Sequence, residues 1–140
     1  MKKKLMALVM TACVAATMLT GCGSSAGSKD TYTVGICQLV QHPALDAATQ
    51  GFKDALTEKL GDKVKFNEQN ASGESATCST IVNQFVSSGV DLILANATAP
   101  LQSAAAATNT IPILGTSVTD YATALDISDW NGTTGVNISG

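Results

Sequence analysis

From residue 31 onward, short apolar runs alternate with longer stretches whose apolar residues recur every three or four positions. That order leaves few folds open. Residues 32–39 (Tyr-Thr-Val-Gly-Ile-Cys-Gln-Leu) read as a strand. Pro43 then opens a helix, where its missing N–H costs nothing. Leu45, Ala48, Phe52, Ala55 and Leu56 share one face of it, and Gly61 stands where a C-terminal cap belongs. Residues 63–68 alternate as a second strand. Ser72 or Ser75 is placed to cap a second helix. Its inward stripe is Cys78, Ile81, Val82, Phe85 and Val86, and Gly89 ends it. Residues 90–95 are nearly all apolar, as expected of a parallel strand covered on both faces. An alanine-rich helix over 100–108 and a fourth strand over 111–115 follow, and Pro112 makes that strand start late or pair incompletely. Residues 134–138 form a fifth strand. Residues 121–133 are polar and irregular, and Trp130 is expected to pack beneath them. Such alternation implies right-handed crossovers and an α/β fold with a doubly wound parallel sheet, flavodoxin-like in layout.

The first thirty residues obey different rules. Lys2, Lys3 and Lys4 precede an apolar run over residues 5–19, which leads into Leu19-Thr20-Gly21-Cys22. This is the pattern of an export signal ending in a lipobox. The run is too short to span a hydrocarbon core of about 30 Å comfortably. The expectation is a signal peptide over 1–21, cleavage before Cys22 and lipid attachment to the Cys22 thiol. Acyl chains at ~0.8 kcal/mol per buried CH₂ would then hold the protein on the outer side of the cell membrane. Residues 22–30 (Cys-Gly-Ser-Ser-Ala-Gly-Ser-Lys-Asp) form a Gly/Ser-rich tether. The folded lobe covers 31–140.

Beyond the signal stand five lysines and eleven acidic residues, a net charge of −6, with no arginine anywhere in the chain. An anionic surface without arginine argues against nucleic acid as a partner and against phosphate-clamping chemistry. Cys37 and Cys78 sit in apolar surroundings and read first as buried small hydrophobes, with a disulfide open as the alternative in an exported chain. No Cys/His cluster has metal-ligand spacing, and no Gly-rich phosphate loop follows a strand. No cofactor is expected. The Asn-x-Ser/Thr triplets at Asn70, Asn96, Asn131 and Asn137 read as turns.

Ligands of doubly wound sheets sit outside the carboxyl ends of the strands. The loops there carry Gln38, Gln41 and His42; Asn70 and Ser72; Asn96, Thr98 and Pro100; and Thr116, Ser117, Thr119 and Asp120. These are neutral donors and acceptors with one carboxylate, the kind of set that orients a small polar molecule. Each residue alone fits ordinary turn or capping chemistry; the signal is their convergence on one edge. His42 is the only histidine. Asp46 follows one helical turn later, but no Gly-x-Ser-x-Gly elbow accompanies them, so no catalytic residue is assigned.

In order along the chain stand His42-Pro43-Ala44-Leu45-Asp46, Gly51-Phe52, Asn70-Ala71, Gly73-Glu74 and Val90-Asp91-Leu92-Ile93. Then come Ala97-Thr98-Ala99-Pro100-Leu101-Gln102, Ile111-Pro112-Ile113, Val118-Thr119-Asp120 and Gly135-Val136-Asn137-Ile138-Ser139-Gly140. This ordered set resembles the N-terminal half of ABC-transporter substrate-binding lipoproteins of the tryptophan/tyrosine-type group. Those proteins have the type I periplasmic-binding-protein fold. The resemblance implies two lobes that close on an amino acid or similar small molecule and deliver it to an ABC permease. The chain would supply one lobe, truncated before the second. The resemblance and the strand-end placement together point to Gln41, Asn96, Thr98, Ser117 and Thr119 as ligand contacts. Tyr121 departs from the family pattern, which usually has proline after Val-Thr-Asp. A ligand-sensing lipoprotein of the same fold is the alternative function; a small flavodoxin-like enzyme is the more distant one.

Overall fold

The computed structural model describes residues 29–140; the signal, the lipobox with Cys22 and most of the tether lie outside the described residues. Five parallel strands, β1 (Tyr32–Gln38), β2 (Val64–Asn70), β3 (Leu92–Asn96), β4 (Ile113–Thr116) and β5 (Ile138–Ser139), form one sheet in the order β2-β1-β3-β4-β5. They alternate with helices α1 (Pro43–Leu60), α2 (Ser75–Ser88), α3 (Thr98–Ala107) and α4 (Tyr121–Ala124). The expected α/β doubly wound sheet is therefore the observed fold.

Strand periodicity divides the core into two layers. Cys37, Ile93, Ala95, Ile113 and Ile138 face α2 and α3, where they meet Ile81, Val82, Phe85, Leu101 and Ala104. Val34, Ile36, Val64 and Leu94 face the other way, packed by Phe52, Leu56 and Leu60 of α1. Two aromatic rings need the absence of a Cβ in the sheet. Phe85 lies over Gly35, with a ring atom 2.6 Å from where a Cβ would stand, and Tyr121 over Gly115, with its hydroxyl oxygen at the same 2.6 Å.

Local details correct several expectations. Neither Ser72 nor Ser75 caps α2. Glu74 holds the N-cap position without a side-chain bond, and Ser72 sits in a turn with φ 54°, its N–H bonded to Asn70 Oδ1 (2.8 Å). Pro112 immediately precedes β4, so that strand starts after it. The fifth strand is only Ile138–Ser139. Part of the irregular stretch coils into α4, with Asp120 as its cap. Trp130 does not pack beneath that stretch: it is 43% exposed. It lines a concavity of about 300 Å³ with Tyr121, Val136 and Ser139 among its walls. Tyr121 fills the position where proline was expected, and the turn forms without it.

Candidate functional site

In a parallel sheet all carboxyl strand ends, and the helix N-termini that follow, come to one edge. Here backbone bonds stitch that edge together. Leu39 donates its N–H to the Asn96 carbonyl (3.2 Å), Gly73 to Leu39 (2.7 Å) and Ala97 to Thr116 (3.0 Å). Ala97 has φ 110° and ψ 170°, a region open essentially only to glycine and worth about 1–3 kcal/mol of strain. Ser117, just past the neighbouring β4, has φ 57°. Two strained non-glycine residues therefore stand side by side at the ends of β3 and β4, the kind of strain that concentrates at binding sites.

The helix behind Ala97 starts, like α2, without a side-chain cap. His42 caps α1, its Nδ1 accepting from the Ala44 N–H (3.2 Å), and Asp120 caps α4. No side chain caps α3. Pro100 removes one donor in its first turn, and the N–H groups of Thr98 and Ala99 have no intrahelical partner. Beside them is a groove of about 440 Å³ lined by Thr98, Gln102, Thr119, Asp120, Thr123 and Ala124. Gln102 Nε2 donates to the Ala124 carbonyl (3.1 Å), which joins α3 to α4 across its floor. The Asp120 carboxyl is held below its ordinary range, first by the Thr123 hydroxyl and then by the N–H groups of Thr123 and Ala122. It is ionised at neutral pH. Thr98 at the start of α3 and the Asp120 carboxylate thus both line this groove.

The structure brings Thr98 and Thr119 together in this groove. Ser117 is exposed on the same loop but does not line it, and Gln41 is exposed on the β1–α1 loop. Asn96 departs from the expected role of surface contact. It is fully buried, and its Nδ2 donates to the Leu45 carbonyl (2.8 Å) and to Thr49 Oγ1 (2.9 Å). Thr49 Oγ1 in turn donates to Gln38 Oε1 (2.7 Å), and Gln38 Nε2 to Asp46 Oδ1 (2.6 Å) and the Val40 carbonyl (3.0 Å). This polar cluster ties β1 and β3 to α1 directly beneath the edge. Asn96 Oδ1 is the one buried side-chain polar atom without a partner among the described residues. Thr49 was missed by reading the sequence, although a signal was present. Gln38 and Asn96 occupy the last inward positions of Val34-Ile36-Gln38 and Leu92-Leu94-Asn96, so α1 had to meet them with a polar residue. His42 and Asp46 are each used in a different bond, the first to the Ala44 N–H and the second to Gln38 Nε2.

The model of the family described as "ABC transporter substrate binding protein" matches residues 33–140. The chain belongs to that family. A tyrosine-binding protein of Clostridioides difficile is 40% identical over 132 residues, which is 84% of this chain and 38% of that protein. Among solved structures, the ligand-free, open form of a Clostridium difficile substrate binding protein with adhesive properties matches with TM-score 0.72 and 39% identity. That match covers 79% of this chain and 38% of the other. An ABC domain from Streptococcus pneumonia in complex with L-Trp matches with TM-score 0.71 and 33% identity over the same shares. The chain thus spans well under half the length of these substrate-binding relatives. The strained loop, the uncapped α3 and the groove all lie within the family match.

Proposed function

We propose that this chain is one lobe of an exported, lipid-anchored substrate-binding protein, which captures an amino acid between two lobes and hands it to an ABC permease. The observation that carries the reading is the groove at the carboxyl edge. It pairs the uncapped N-terminus of α3 with the ionised Asp120. Free N–H groups at a helix start favour a carboxylate, and a carboxylate in the same groove favours an ammonium. An amino-acid zwitterion presents those two charges together. Thr98 and Thr119 add hydroxyl donors, while the exposed Ser117 and Gln41 would reach the ligand once a second lobe closes. Asn96 acts from below, holding the strand ends in register. Relatives that bind tyrosine or L-Trp make the aromatic amino acids the first ligands to test. The lipobox at Cys22 supplies the anchor, and Cys22→Ser should leave the protein unlipidated.

Calorimetry of the full-length, two-lobed protein against the twenty amino acids tests this reading. Saturable binding of one or a few of them, tyrosine or tryptophan included, is expected. Absence of binding across the panel would refute it.

A further inference from the structure

The mechanism of ligand capture makes no use of Cys37 and Cys78, yet the fold buries both in one apolar layer, on two elements packed against each other. Cys37 is the penultimate residue of β1, on the face covered by α2, and Cys78 lies in the first turns of α2. Both are fully buried in the same apolar layer, and both are free thiols. We propose that Cys37 and Cys78 are a disulfide-forming pair that staples β1 to α2 just below the binding edge. The physical consequences follow from where the pair sits. The 40 residues between them include all of α1 and β2, so the bond would close a long loop, where constraint of the unfolded chain counts most. Both ends flank the loops 39–42 and 71–74, already joined by the Gly73 to Leu39 bond.

Burial and the neighbouring thiol push Cys37 up to about 12, and burial raises Cys78 too. The folded thiols are therefore poor nucleophiles, because exchange needs the thiolate. The bond forms while α2 is still docking. A thiolate attacks a disulfide donor, such as oxidised glutathione, and releases one reduced donor thiol. The second cysteine thiolate then attacks the mixed disulfide and releases the other. Two electrons pass to the donor sulfurs, and the two protons lost by the cysteines end on the released thiols.

Refolding of the purified full-length protein from denaturant in a glutathione redox buffer, with acid quench, alkylation and peptide mapping, tests the pair. The expected product is a peptide linking Cys37 to Cys78, two hydrogens lighter than the reduced pair. Its Tm should fall by roughly ten degrees on reduction. Refolded protein in which both cysteines are alkylated, or each carries glutathione, would overturn the proposal. This outcome does not depend on export or ligand capture. If the link forms in vitro, the pair stands whatever the redox state of the protein taken from its own cells.

Discussion

At Ala97 the backbone is held where a Cβ is unwelcome. Ala97→Gly should relieve about 1–3 kcal/mol of strain while costing ~0.4–1 kcal/mol through a freer unfolded chain. The expected net gain is about 1 kcal/mol, read as a higher urea midpoint with unchanged slope. A lower midpoint would show that the conformation is not strained. The polar cluster beneath the edge gives a second test. Thr49→Val removes a hydroxyl that serves both Gln38 and Asn96. Leaving those buried groups short of partners should destabilise by ~1–3 kcal/mol; a change within measurement error would mean that the cluster carries no stability. Residue identity was only partly legible in the sequence. Thr98 and Thr119 could be placed at the edge from strand order alone. The burial of Asn96 could not, because whether a strand-end amide faces a ligand or a helix depends on which face the helix covers.

At the scale of elements, α4 is the least expected feature, and its cap is also a wall of the groove. Asp120→Asn keeps a good N-cap residue and removes the charge. Ligand affinity should fall by at least about tenfold while α4 and overall stability are nearly retained. Equal loss of stability and affinity would assign Asp120 a capping role alone. At the opposite end of the sheet, Asp91 accepts from the Thr33 N–H (2.8 Å) and pairs with Lys29. The Lys29 ammonium first, then that N–H, hold its carboxyl below the ordinary 3.8. A depressed folded value means that the stabilisation is full above the unfolded value and is lost as pH falls through the folded one. The stability gap between the parent and Asp91→Asn should therefore be constant near neutrality and shrink below about pH 4. A gap that persists undiminished into strong acid would contradict it. Helices and strands were legible because their periodicities differ. Their ends were less so: α2 starts without the serine cap that its sequence offers, since Glu74 and the Ser72 turn set its entry. The four residues of α4 are too few for any period to show.

For the whole molecule, the parallel sheet was readable because alternating strands and helices allow little else, and the family match agrees with it. What one lobe contributes to a closed cleft is a matter of enclosure. In the proposed two-lobed protein, water would be excluded from both sides of the ligand; residues 31–140 alone should therefore bind at least about a hundredfold more weakly. Equal affinity would place the whole site in this lobe. The central claim is that the start of α3 at the carboxyl edge receives the ligand carboxylate. Calorimetric titration of the full-length Thr98→Val variant tests it most directly. Valine keeps the shape and removes the hydroxyl donor. Thr123, though in the polar stretch, lines the same groove and is unsuitable as a control, whereas the exposed Thr57 on α1 serves as Thr57→Val. The account predicts a loss of ~1.5–3 kcal/mol, tenfold to hundredfold in Kd, for Thr98→Val and none for Thr57→Val. Parental affinity in Thr98→Val would contradict it.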